Sequence, residues 1–305
     1  MNFFTHYTTR IRLIPNAKAL FPILLLVIST FTAAQQKVIR LYDGPAPGSE
    51  NWYWSEGETF AGSPMNAKIA YNVTNPSLVV YKPGKPSGVA VIVCPGGSYH
   101  VLNIELEGTN IARELNDKGI TVFLFKYRMV RSFTNDPWKE MMEARKNPDS
   151  LRQKMAPLRT MAMTDLNKAI AYVRQHASEY KIDSNRIGIM GFSAGGFLVA
   201  NVAYNFAPEA RPDFVAPIYS VISNIKDRFV KPDAPPLFIA AATDDALAEV
   251  SNSVNLYTDW INAKKSAELH LYAKGGHGLR NTHASTWINR FVEWLYSQGF
   301  LQGKP

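Results

Sequence analysis

The tightest constraint in this chain is a six-residue run, Gly191-Phe192-Ser193-Ala194-Gly195-Gly196. It follows the apolar stretch Ile187-Gly188-Ile189-Met190 and leads into a helix-like segment at residues 197–203. In a strand–turn–helix setting, G-x-S-x-G forms a sharp, strained turn that lifts the serine hydroxyl above the end of a sheet. Such a turn is crowded, so residues without side chains are needed on both sides of the serine. A merely flexible turn has no such requirement. The helix start behind Ser193 also favours negative charge nearby.

The rest of the chain supplies the fold that this turn needs. Short β-branched-rich runs at 78–81, 89–94, 120–126, 186–190, 214–219, 237–241 and 269–272 read as strands. Helical periodicity appears at 111–118, ended by Gly119, and at 164–180, 254–263 and 286–296. Strands alternating with helices predict an α/β fold. It would have a mostly parallel central sheet with helices on both faces. With no linker or repeat, residues 35–305 are expected to form a single domain. Residues 129–163 break the rhythm, being rich in charge and methionine and helical only at 138–145 and 150–155. Lying between a core strand and the helix before the Ser193 strand, they are either a cap near the site or a plain surface excursion.

The first 34 residues differ from the remainder. Arg10, Arg12 and Lys18 stand without an acid, an apolar run covers 20–28, and small residues Thr32 and Ala34 precede Gln35. That order is a secretory signal peptide, and it predicts a secreted or periplasmic protein. The apolar run contains Pro22 and falls short of the ~20 residues of a spanning helix, so no stable membrane insertion is expected after cleavage. No cysteine follows the run, which argues against a lipid anchor.

Composition narrows the remaining choices. The formal charge of +8 includes the three leader cations, and the other Lys and Arg are dispersed, giving nucleic-acid binding little support. Cys94 is the only cysteine, so no intramolecular disulfide is possible, and its place in an apolar run reads as a buried strand. No spacing of His, Cys or acids reads as a metal site, and no cofactor motif is present.

A serine hydroxyl needs a base. Of the six histidines, His277 lies in Lys274-Gly275-Gly276-His277-Gly278-Leu279 just past the last strand, where the chain order of this fold places its histidine. His6 falls in the leader, His176 reads as mid-helix and His270 as part of a strand; His100 and His283 are weaker candidates. The acid belongs after an intervening strand, and Asp244 and Asp245 both stand there after 237–241. Pro95-Gly96-Gly97-Ser98-Tyr99-His100 follows an earlier strand, so the backbone N–H groups of Gly97, Ser98 and Ala194 could converge on an oxyanion. Trp52, Tyr53 and Trp54 could stack on a sugar ring or staple the N-terminal segment to the core.

With these residues placed, the chain from about residue 41 to 297 resembles the bacterial acetylxylan-esterase/feruloyl-esterase-like group of α/β-hydrolases. These are relatives of the hormone-sensitive-lipase-like and dienelactone-hydrolase-like esterases. The matching stretches are Val91-Ile92-Val93-Cys94-Pro95-Gly96-Gly97, Lys126-Tyr127-Arg128, the run from Arg186 to Gly196, and Lys274 to Gly278. The family's Asp-Asp-Pro-Leu pattern reads Asp244-Asp245-Ala246-Leu247 here, which points to Asp245 as the acid. Two departures stand out: Ser98 replaces a usual third glycine, and residues 129–163 form a longer stretch. The resemblance implies a serine esterase with Ser193 as nucleophile and His277 as base. It would remove acetyl or feruloyl groups from plant polysaccharide such as xylan, without a cofactor, on acylated carbohydrate or another small ester. Alternatives on the same fold are a prolyl-oligopeptidase-like peptidase, which usually carries a large extra domain, and a non-catalytic carbohydrate-binding scaffold. A lipase would be expected to show a more apolar lid than residues 129–163 provide.

Overall fold

The computed structural model describes residue 1 and residues 36–303, except residue 282. The basic and apolar leader therefore lies outside the described residues. In chain order the strands are β1 (Val38–Arg40), β2 (Gly57–Ala61), β3 (Ala67–Tyr71), β4 (Ser77–Tyr81), β5 (Ala90–Cys94), β6 (Val101–Leu102), β7 (Thr121–Lys126), β8 (Ile187–Phe192), β9 (Phe214–Ile218), β10 (Leu237–Ala242) and β11 (Ala267–Tyr272). The helices are α1 (Asn110–Asn116), α2 (Pro137–Ala144), α3 (Pro148–Gln175), α4 (Ala194–Asn205), α5 (Val250–Asn262) and α6 (Trp287–Ser297).

Among these residues, eight strands form the main sheet in the order β1-β4-β7-β5-β8-β9-β10-β11. From β7 to β11 every pairing is parallel, while β1 and β4 add antiparallel edges. The chain thus has the α/β-hydrolase fold, with a mainly parallel sheet. Strands β5, β7, β8, β9 and β10 are buried along their whole length, which explains their continuous rather than alternating apolar sequences. The edge strand β11 is only half-buried, and it carries Glu268 and His270.

The path from β5 goes first to β7 on one side and then to β8 on the other. That reversal opens a crevice at the carboxyl ends of β5 and β8, where ligands bind in open α/β sheets. The register Cys94↔Gly191 sets the loop after β5 beside the turn after β8. Helix α6 seals β9 and β10 with one apolar face: Phe291 and Trp294 pack against Phe214 and Phe238 with ring centroids 5.4 to 6.2 Å apart.

The sequence pattern placed most strands within a residue or two, but two readings are corrected. The separate helices expected at 150–155 and 164–180 are one helix, α3, running through Pro157. Pro157 and Gln153, whose carbonyl its missing N–H leaves free, are both exposed residues. His176 consequently caps the end of α3 rather than sitting mid-helix, and its Nδ1 lies 2.9 Å from the Tyr172 carbonyl. The small antiparallel sheet β2-β3-β6 was not anticipated at all.

The Lys126-Tyr127-Arg128 motif proves to be a structural knot. Lys126 pairs with Glu56 and Glu58, and the Tyr127 hydroxyl donates to the Pro95 carbonyl at 2.6 Å. The Arg128 guanidinium, 1% exposed, forks onto Asp165 of α3 at 2.8 and 2.9 Å and also donates to Pro47 and Ser49. Trp52 packs on the main core and stacks on Trp54 with centroids 5.0 Å apart, which favours the staple over the sugar platform.

Candidate active site

Ser193 sits between β8 and α4 with φ 52° and ψ −111°, a strained backbone for a residue with a side chain. Tight packing fixes it there. A Cβ on Gly195 would stand 2.0 Å from the Cys94 carbonyl oxygen, so only glycine lets α4 start this close to β5. Ser193 N–H donates to the Ile218 carbonyl at 3.1 Å, tying the turn to the end of β9.

His277 lies in the loop after β11, and its two ring nitrogens bridge two other strand ends. Nε2 is 2.9 Å from Ser193 Oγ and Nδ1 is 2.9 Å from Asp245 Oδ2. An ionised carboxylate can only accept, so the Nδ1 proton points at Asp245 and Nε2 is left to accept from the serine hydroxyl. Burial pushes the Asp245 carboxyl up. The bonds from His277, Ala248 N–H and Leu247 N–H outweigh it and hold the group below its ordinary value.

The neighbouring aspartates separate cleanly. Asp245 is buried beneath the histidine, whereas exposed Asp244 accepts the backbone N–H groups of Gly275 and Gly276 at 2.9 and 2.8 Å. Asp244 thus holds the histidine loop, and Asp245 holds the imidazole. The other described histidines are occupied elsewhere. His100 is buried beside the Ser98 carbonyl and its pKa is lowered by that burial, His270 bonds Glu268, and His283 packs edge-on to Tyr272. Cys94 is fully buried, and desolvation pushes its thiol pKa well up, away from thiolate chemistry.

The loop after β5 carries Gly97, Ser98 and Tyr99 in successive positive-φ conformations, Gly97 at φ 131°. A Cβ on Gly97 would stand 2.1 Å from the Val101 carbonyl oxygen. The N–H groups of Gly97, Ser98 and Ala194 donate no hydrogen bond among the described residues. The N–H of Gly96, by contrast, is committed to Glu107 Oε2 at 2.6 Å.

Sequence reasoning missed three neighbours of the site. Glu107, in a π-helical turn ahead of α1, accepts from Gly96 and also from the Tyr219 hydroxyl at 3.0 Å. Burial raises its pKa above the ordinary carboxylate value against the pull of those donors. The Tyr219 ring meets the His277 ring edge-on at 5.0 Å. Arg145, from residues 129–163, donates Nε and Nη2 to Ser98 Oγ at 3.2 and 2.8 Å, so the residue that departs from the family glycine is held by the unusual stretch. No local pattern announces these roles, because each rests on a partner at least eleven positions away.

Two cavity lobes meet at Ser193 and His277. One, of about 210 Å³, is walled by Met65, Trp138, Met141 and Met142 beside Gly96 and Gly97. The other, of about 370 Å³, is walled by Tyr99, Arg145, Leu151, Met155, Arg159 and Phe197. Much of both walls comes from residues 138–159, so that stretch borders the site. No cluster of three or more His, Cys, Asp or Glu that could hold a metal occurs among the described residues.

Known proteins give a consistent picture. Residues 152–209 match the family model described as BD-FAE. Over 252 residues the chain is 29% identical to an acetylxylan esterase of Xylanibacter ruminicola, covering 73% of this chain and 47% of that one. It is 27% identical over 226 residues to endo-1,4-beta-xylanase B of Butyrivibrio fibrisolvens, covering 62% of this chain and 32% of that one. The chain spans about half or less of the length of these curated relatives. Among solved structures, the acetyl ester-xyloside bifunctional hydrolase of Caldicellulosiruptor lactoaceticus superposes with TM-score 0.63 at 24% identity, over 88% of this chain and 98% of that one. A carboxylesterase of Lactobacillus plantarum does so with TM-score 0.58 at 19% identity, over 82% and 100%. These likenesses bear out the fold and the family resemblance read from the motifs.

Proposed function

For a chain that is an α/β-hydrolase similar to acetylxylan esterases, we propose the function of a serine carboxylic-ester hydrolase, removing acetyl (or feruloyl) groups from plant polysaccharide such as xylan. The observation that carries this reading is the unbroken hydrogen-bonded line Ser193–His277–Asp245, with both contacts at 2.9 Å. The similarity to an acetylxylan esterase supports the substrate class.

In this reading Ser193 Oγ attacks the ester carbonyl while His277 Nε2 takes its proton. Asp245 keeps the imidazole oriented and stabilises its charged form without taking the proton. The carbonyl oxygen becomes an oxyanion facing the free N–H groups of Gly97, Ser98 and Ala194, each such donor being worth about 10²–10³ in rate. His277 returns the proton to the leaving alcohol. Water, activated the same way, then releases the acyl group from Ser193. Nothing beyond these side chains and backbone groups is required. The leader read at residues 1–34 supports a site of action outside the cytoplasm.

The test is hydrolysis of p-nitrophenyl esters from acetyl to decanoyl beside acetate release from acetylated xylan, with Ser193→Ala in parallel. Acetyl turnover and acetate release that fall by about 10⁶ in the variant are the expected result. A purified, folded protein with no ester activity would overturn the reading, and a peptide panel would then test the peptidase alternative.

A further inference from the structure

The larger lobe has an unusual wall. Among the described residues it holds Arg145, Arg152 and Arg159 and no Asp or Glu. Arg152 is neutralised by Asp149, one turn away. The other two are not: among the described residues, no acid lies within ion-pair distance of Arg145 or Arg159. Arg145 gives one proton each from Nε and Nη2 to the neutral hydroxyl of Ser98 and directs Nη1 at Met142 Sδ, none of which balances its charge. Arg159 lies over the Phe197 ring at 4.7 Å, and its buried Nε has no hydrogen-bond partner among the described residues. Partial burial lowers the pKa of both groups, a sign that each cation is poorly hydrated.

A second polar side chain stands in the same wall. Tyr99 is 1% exposed and lines the lobe, yet among the described residues its hydroxyl has no hydrogen-bond partner. Poorly hydrated cations and an orphaned hydroxyl each cost free energy unless something completes them. One ligand satisfies all of them. A planar carboxylate accepts from the fork of an arginine and from a phenol at once, and it neutralises the local charge. The lobe opens onto Ser193 and Ala194, so the carboxylate would reach it as part of the molecule being cleaved.

We infer that this lobe is a subsite for a carboxylate carried by the ester substrate, bound by Arg159, Arg145 and the Tyr99 hydroxyl. The inference rests on the esterase reading above and narrows it from esters in general to anionic ones. The charge has two possible sources, the acyl group or an acidic sugar on the alcohol side, and the chemistry of the lobe is the same for both.

Two substrate pairs separate the sources. The first is p-nitrophenyl acetate against the mono-p-nitrophenyl ester of succinic acid. The second is acetylated xylo-oligosaccharides without and with a glucuronic-acid branch. The readout is the ratio of kcat/KM, charged over neutral, taken within each protein. In the wild type, one pair should favour its charged member by about tenfold or more. Added salt should shrink the advantage. Arg159→Gln, Arg145→Gln and Tyr99→Phe should each move the ratio toward one. Turnover of the neutral esters with no preference in either pair overturns the subsite and leaves the esterase standing. So does a preference that survives all three substitutions. If no ester is cleaved, calorimetric titration of succinate and D-glucuronate into the wild-type protein decides the subsite alone: binding lost in Arg159→Gln upholds it, and absence of binding overturns it.

Discussion

Glu107 accepts the Gly96 N–H at 2.6 Å, fixing the loop after β5 from beneath. Its other oxygen takes the Tyr219 hydroxyl, whose ring edge meets His277, so one carboxylate braces both sides of the Ser193 crevice. Both partners are donors. A glutamine can accept from only one of them and must turn its NH₂ toward the other. Glu107→Gln should therefore lower kcat by roughly tenfold, the scale of one hydrogen bond to a charged group. KM should change little, because Glu107 acts through the loop and the ring. Steady-state kinetics on p-nitrophenyl acetate checks the split, and a loss confined to KM would contradict the bracing role.

The two adjacent aspartates should behave very differently. Asp245→Asn leaves the imidazole without its acceptor and is expected to cost on the order of 10⁴ in kcat. Asp244→Asn loosens the His277 loop and should cost far less. Equal losses would mean that the buried and exposed positions are not distinguished as the hydrogen bonds imply.

Asp245 also sets a pH dependence of stability. Its folded pKa is held below the unfolded value of about 3.9. A depressed acid contributes stability that is fully present above the unfolded value and is lost as pH falls through the folded one. Urea denaturation should find the wild type more stable than Asp245→Asn at pH 7, with the difference closing below about pH 4. A difference that grows on acidification would contradict the assignment.

The Arg128–Asp165 fork is almost completely withdrawn from water. Arg128→Met strands a buried carboxylate and should destabilise the protein by about 3–5 kcal/mol. Removing both charges, as Arg128→Met with Asp165→Leu, should recover more than half of that. A double variant as unstable as the single one would show that the fork's bonds to Pro47 and Ser49, rather than the charge pair, carry the effect.

Gly195→Ala forces a Cβ against two backbone carbonyl oxygens, those of Cys94 and Pro95, at 2.0 and 2.6 Å. Backbone cannot step aside as a flexible side chain can, so a loss of at least about 4 kcal/mol is expected. Melting should fall by roughly 10 °C or the chain should fail to express in soluble form. Gly44→Ala, with open space around the site, is the control and should melt within about 2 °C of the wild type.

Strands such as β5, β7 and β8 were legible because a strand buried on both faces must be apolar at every position. Ser193 and His277 were legible because a strained turn and a loop reaching across a sheet both need glycines nearby. Strands β1, β2, β3 and β6 escaped notice for the converse reason. They are two to five residues long, β1, β2 and β3 are partly exposed, and their pairing, as in Ala70↔Leu102, joins residues remote in the chain. Helix α3 was read as two separate helices, at 150–155 and 164–180, and only the structure joins them through Pro157.

By itself, then, the sequence determined the chemistry available: one activated serine, one histidine in the right chain order, a pair of aspartates and a glycine loop. Those features are local, each dictated by the backbone conformation or side-chain type that one short segment must have. Only the tertiary structure separated Asp245 from Asp244 by geometry, since their difference lies in burial and in which donors come within 3 Å. It alone brought Glu107 to Gly96, and gathered Arg145, Arg159 and Tyr99 around one cavity beside Ser193. Electrostatic and hydrogen-bonding interactions depend on distance through space, and the register of β5 against β8 and the path of α3 set that distance.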